Sequence, residues 1–253
     1  MSGHSKWSTI KHQKGAADAK RSKLFTKLAR EITVAARAGG ADPAMNARLR
    51  LAVDRARHDN MPLDNVDRAI KRATGQGGEA QVDLEEVVYE GFGPAGSAVL
   101  VVALTDNRNR AASEVRNTFD RNAGKMAQVG SVGYLFEQKG LITLELDPDK
   151  ADEVALLAID QGAEDFSVDG TLLEIVAAVD NFEGLRQWLE SEGHTIGSAD
   201  IAMVPKTLVA LESRHAEQAL RLLDRLEDLD DVQKVFTNAD FPAEVLEKLG
   251  DAA

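Results

Sequence analysis

The feature that most restricts the fold is an alternation of periodicities between residues 141 and 204. Period-two apolar runs alternate with helical ones, which gives strand Leu141–Leu146, helix Asp149–Gln161, strand Ala163–Val168, strand Leu172–Ala178, helix Asn181–Glu192 and strand Thr195–Val204. The order βαββαβ is that of a ferredoxin-like domain. Before it come strands at Glu86–Gly91, Ser97–Thr105 and Gly130–Glu137, with a helix from Arg108 to Asn122. After it remain strand Leu208–Leu211, helix His215–Leu226 and strand Val232–Phe236, which have no sheet of their own. The economical solution is that these elements return to complete the sheet begun at Glu86. The ferredoxin-like unit is then an insertion.

The first 78 residues follow a different rule. Leu24, Phe25, Leu28, Ile32, Ala35 and Ala36 recur at helical spacing, predicting a helix over Ala16–Ala38 that Gly39-Gly40 ends. Asp42-Pro43 predicts the N-cap and first-turn proline of a second helix running to Asp59, with Met45, Leu49, Val53 and Ala56 inward. A third helix starts near Pro62, with Val66, Ala69, Ile70 and Ala73 inward. Thr74-Gly75-Gln76-Gly77-Gly78 reads as a flexible boundary. The expected class is therefore α+β with three domains: a three-helix domain followed by two α/β sandwich domains, one ferredoxin-like and inserted in the other. Their bounds are 1–78, then 79–138 with 206–253, and the insertion 139–205.

Charge separates the same parts. Residues 1–78 hold 16 Lys+Arg and 7 Asp+Glu, net +9; the rest hold 14 and 35, net −21. A basic head on an acidic body seeks polyanions at one end only. Within residues 1–30, Lys6, Lys11, Lys14, Lys20, Arg21, Lys23, Lys27 and Arg30 stand against one acid, Asp18. Residues 1–15 read as a mobile arm, and in the helix that follows Lys20, Lys23, Lys27, Arg30 and Arg37 lie opposite the apolar stripe. Trp7 adds a π-face among the cations, a mixture suited to phosphate neutralisation and base stacking. The expected nucleic-acid contacts are these cations other than Arg37, with Trp7 and His12. The pattern does not separate DNA from RNA. A second anion site is read at Asn107, Arg108 and Arg110, where a strand enters a helix whose first N–H groups are free; ordinary capping with salt bridging is the other reading of that segment.

Other chemistry is set aside residue by residue. Gly91-Phe92-Gly93-Pro94-Ala95-Gly96 matches a dinucleotide-binding glycine pattern, but a strand rather than a helix follows it, so it reads as a hairpin loop. His4, His12, His58, His194 and His215 show no i, i+4 metal-ligand pairing, and there is no cysteine. Glu227-Asp228-Leu229-Asp230-Asp231 lacks the glycine and spacing of a calcium loop and reads as a solvated turn. No run reaches the ~20 apolar residues of a membrane span. The expectation is a cytoplasmic protein that is not an enzyme, with no cofactor, no metal and no small-molecule substrate.

Gly3-His4-Ser5-Lys6-Trp7, Ala17-Asp18-Ala19-Lys20-Arg21, Phe25-Thr26-Lys27-Leu28, Asn60-Met61-Pro62, Tyr89-Glu90-Gly91, Leu104-Thr105-Asp106-Asn107-Arg108-Asn109-Arg110, Gly130-Ser131-Val132, Val204-Pro205-Lys206-Thr207 and Asp230-Asp231-Val232-Gln233 resemble the YebC family across nearly the whole chain. The resemblance implies three domains and transcriptional regulation through DNA binding. The alternative is a ribosome-associated translation factor that binds ribosomal RNA and assists synthesis of proline-rich stretches, since some relatives act there. Two departures stand out: Ala47 where the family often has proline, and Lys125-Met126-Ala127 in place of Asn-Leu-Gly.

Overall fold

The computed structural model describes residues 18–75 and 83–251, with side chains from Arg21 onward and through Lys248. The described residues open with three helices, α1 (Asp18–Gly39), α2 (Ala47–His58) and α3 (Leu63–Ala73). Leu28, Ile32, Ala35 and Ala36 of α1 meet Leu49, Ala52, Val53 and Ala56 of α2 and Val66, Ala69 and Ala73 of α3 in a core of their own. The start of α2 differs from expectation. Its N-cap is Asn46, whose side chain accepts from the Leu49 N–H at 3.1 Å. Asp42 instead accepts from Ala44 N–H, closing a short turn that leaves Met45 84% exposed rather than inward. Asn46 is buried because its amide also donates to the carbonyls of Ala35 and Gly40, both at 2.8 Å, which ties the end of α1 to the start of α2.

The first sheet contains β1 (Glu85–Phe92), β2 (Ala98–Thr105), β3 (Lys125–Met126) and β9 (Val232–Thr237), in the order β3-β1-β2-β9. The hairpin from β1 to β2 closes through the Gly93 N–H on the Ser97 carbonyl at 2.7 Å, which places the glycine-rich segment in a turn. Helices α4 (Arg108–Arg121) and α7 (Ser213–Glu227) cover one face, with Val99, Val101, Ala103, Phe119, Leu222 and Leu226 among the buried residues. Strand β9 pairs antiparallel with β2, so the late elements do return to the early sheet. Strand β8 (Val209–Ala210) does not: it pairs in parallel with β10 (Ala239–Asp240). A final helix, α8 (Ala243–Asp251), was not expected; Val245 and Leu246 seat it on the same core.

The second sheet has the order β5-β6-β4-β7, built from β4 (Phe136–Glu145), β5 (Ala163–Asp169), β6 (Leu172–Ala178) and β7 (Ile196–Pro205), all antiparallel. With α5 (Pro148–Asp160) after the first strand and α6 (Val179–Ser191) after the third, this is the ferredoxin-like arrangement inserted between halves of the first unit. Ile142, Leu144, Leu173, Ile175, Phe182, Leu185 and Leu189 fill its core.

Two expected strands, at 130–137 and 141–146, are one strand, β4, preceded by a loop. Gly140 does not break it, because the ring of Phe182 occupies the space where a Cβ would stand. The loop forms because its amides bond a side chain instead of a neighbouring strand. The Glu90 carboxylate accepts from Gly130, Val132 and Gly133 N–H at 2.7, 2.6 and 2.9 Å. Phe136 then packs with Ala98, Leu100, Val132 and Phe236, and with Ala202 and Met203 of β7, so the two sheets share an apolar seam. No helix among the described residues is long and apolar enough to cross a membrane.

Candidate nucleic-acid interface

Lys6, Trp7, Lys11, His12 and Lys14 lie outside the described residues, as does the side chain of Lys20. Arg21 is exposed at the start of α1. The next three expected contacts bond to the body, Lys23 while still 56% exposed. Lys27 Nζ donates to the carbonyl of Glu227, and Lys23 Nζ donates to the carbonyl of Asp228 at 3.3 Å. These carbonyls belong to the C-terminus of α7, where unsatisfied acceptors and the negative end of the helix dipole attract cations. Lys23 also pairs with Asp230 at 3.3 Å.

Arg30 goes deeper. Its Nη1 donates to the Asp230 carbonyl at 2.7 Å and to Asp231 Oδ1 at 2.9 Å. The Asp231 side chain is 5% exposed and accepts on its other oxygen from Thr105 Oγ1 at 2.9 Å and Arg110 Nη2 at 2.7 Å. Burial pushes the Asp231 carboxyl upward, but the hydrogen bonds from Arg110 and Thr105 and the charge of Arg30 prevail and hold it below the usual carboxylate range. Arg110 is shifted further toward its charged form by Asp231 and Asp106. The expected solvated turn at 227–231 is thus an acceptor platform on which α1 rests. Its signal in the sequence was the Asp230-Asp231 pair ending an acidic run after an amphipathic helix; the partner 201 residues away had none.

The expected second anion site is occupied by the chain itself. Asn107 Oδ1 caps α4 by accepting from the Arg110 N–H at 3.1 Å, and Arg108 pairs with Glu85 at 3.0 Å. Arg108 and Arg110 keep 67% and 43% of their side-chain surface exposed while making these pairs. The geometry is that of capping with salt bridging.

The remaining contacts of the helical unit with the body repeat one polarity. Arg37 pairs with Asp83, Arg48 with Glu86, Arg50 with Glu183 at 3.2 Å, and Arg55 with Asp200 at 3.3 Å. Burial pushes Asp200 upward, and Lys234 and Arg55 more than reverse this, so it too is held below its ordinary value. Among the described residues, every ion pair across this boundary puts the cation on α1 or α2 and the anion on the body. Exposed pairs contribute about 0–1 kcal/mol each, which leaves Arg30–Asp231 and Arg55–Asp200, the latter carboxylate shared with Lys234, as the two more shielded anchors.

A basic three-helix unit clasped by ion pairs to an acidic body of two antiparallel, helix-covered sheets defines the class: a modular α+β protein with a basic head. Family models agree. The TACO1/YebC protein N-terminal domain matches residues 5–76, and the TACO1/YebC second and third domain matches residues 84–239. The chain belongs to the TACO1/YebC family. It is 53% identical over 248 residues to a protein of Dehalococcoides mccartyi named probable transcriptional regulatory protein, covering 98% of each chain. A Geobacter sulfurreducens protein of the same name is 51% identical over 249 residues, covering 98% of this chain and 100% of that one. The crystal structure of a conserved hypothetical protein from Aquifex aeolicus superposes with a TM-score of 0.84 at 42% identity, covering 94% of this chain and 97% of the other.

Proposed function

We propose that this protein is a non-enzymatic, nucleic-acid-binding regulatory protein that contacts phosphates through its basic N-terminal arm and the first turns of α1, and that its target is DNA in transcriptional regulation. The observation that carries the reading is the charge asymmetry, net +9 over residues 1–78 against −21 over the rest. A polyanion is attracted to one end and repelled by the other. The names of the relatives support regulation of transcription.

One observation favours ribosomal RNA as a second reading. The cationic side of α1 rests on Glu227–Asp231, so α1 is not presented as a helix free to enter a major groove. Contact through the arm and Arg21 then tracks a backbone and reads no base sequence.

Replacing Lys6, Lys11, Lys14 and Lys20 by Ala tests the interface. Binding should weaken, and the slope of log K against log salt should flatten by about 3–4. An unchanged slope excludes the arm as the contact. In-cell crosslinking with sequencing of the attached nucleic acid separates the two targets: discrete promoter DNA supports the first, ribosomal RNA near the peptidyl-transferase region the second.

A further inference from the structure

The body of this protein presents carboxylates to the basic helical unit. Lys23, Arg30, Arg37, Arg48, Arg50 and Arg55 each pair with a carboxylate of the body. The helical unit closes its own core without the body. Among the described residues, Leu51 is its single apolar side chain packed into a core of the body. Separating the two therefore uncovers little apolar surface and a row of cations. Lys23–Asp230, Arg37–Asp83, Arg48–Glu86 and Arg50–Glu183 are partly exposed, and pairs of that kind are individually weak and screened by salt; Arg30–Asp231 and Arg55–Asp200 are the two more shielded anchors. A duplex carries one negative charge per ~1.7 Å and gains from releasing its condensed counterions, which scattered carboxylates do not.

We infer that the body-facing side of α1 and α2 is a second polyanion-binding face, covered by the acidic body and opened by competition from nucleic acid. The closed state is one of two conformations, and the ligand shifts the balance because it binds the open one better. The inference rests on the nucleic-acid reading above and adds a covered surface to it.

The chain has no cysteine, so a site-specific covalent lock is clean. In full-length Arg48→Cys with Glu86→Cys, a bis-maleimide bridge holds the unit closed, and the same variant unbridged is its control. Binding is read by fluorescence anisotropy against a mixed-sequence DNA duplex and a mixed-sequence RNA strand over a range of salt. The bridged form should bind about tenfold more weakly, with a salt slope shallower by about 2. A second variant, E86Q/E183Q/D230N, removes anions from the boundary; D152N/E153Q/D160N removes as many from the exposed face of α5. The first should bind severalfold tighter than the second. Equal affinity and slope in the bridged and unbridged forms overturn the covered face while leaving the arm as the contact. Equal binding by the two neutralised variants overturns it as well. If no form binds either probe, the nucleic-acid reading falls and this inference with it.

Discussion

Arg30 on the first described helix and Asp231 just before the ninth strand are joined at 2.9 Å, and through Asp231 the helical unit is tied to Thr105 and Arg110 of the first sheet unit. One carboxylate thus serves three donors from three parts of the chain. It is one of the two points at which basic head and acidic body are anchored.

Asp231→Ala should be strongly destabilising. It leaves Arg30 and Arg110 facing one another and Thr105 Oγ1 without its acceptor, at a cost of about 3–5 kcal/mol. Asp231→Asn keeps an acceptor for Thr105 and should lose less. Urea midpoints of the two variants and the parent check this; a parent-like midpoint for Asp231→Ala would remove Asp231 from its role as anchor.

Acid should unfold the protein through the same groups. Glu90, Asp200 and Asp231 are all held below their ordinary values in the folded state. As pH falls, the unfolded chain takes up protons first, near its carboxylate values of about 4. Stability is therefore fully present above that range and is lost as pH drops through the lower folded values. The urea midpoint should be flat from neutral to about pH 5 and then fall, less steeply in Asp231→Asn. A midpoint that rises on acidification contradicts this account.

Glu90→Ala should loosen the loop before β4. Burial pushes this carboxyl upward, and the N–H groups of Gly130, Val132 and Gly133 reverse the shift because they bond its charged form. Removing it orphans three amides, with a loss of about 3 kcal/mol. Hydrogen exchange at those three amides should accelerate far more than at Leu100 or Val101 in β2. Uniform acceleration across the sheet would show global destabilisation instead.

Gly91→Ala should be costly although its backbone conformation is open to alanine. A Cβ there stands 2.6 Å from the Phe119 ring and 2.9 Å from the Lys125 carbonyl, where β1 packs on α4 and pairs with β3. Overpacking of this kind costs about 1–3 kcal/mol. The paired variant Gly91→Ala with Phe119→Leu tests the cause: recovery of part of the loss places the clash at the ring, and no recovery places it at the backbone.

Much of the fold was legible because its signals are local. Helical and two-residue periodicities located the elements of the inserted sheet and three of the four strands of the first, missing β3, and the elements left over after the βαββαβ order implied the insertion. The misses share one cause. Glu90 turned 130–133 into a loop, Phe182 let Gly140 remain in a strand, and Asn46 rather than Asp42 capped α2 because Ala35 and Gly40 were at hand to hold it. Each depends on a partner that no neighbouring residue announces.

The cationic stripe shows the same division. By itself, the sequence determined that α1 is amphipathic, that its polar side is basic, and that the rest of the chain is acidic. Those properties follow from side-chain identity and a repeat of 3.6 residues. Only the tertiary structure decided where the charge goes: Lys23, Lys27 and Arg30 meet the carbonyls and carboxylates of Glu227–Asp231. Opposite charges some 200 residues apart find one another through the packing of the units that carry them. Periodicity says which face of a helix is charged, not what that face meets.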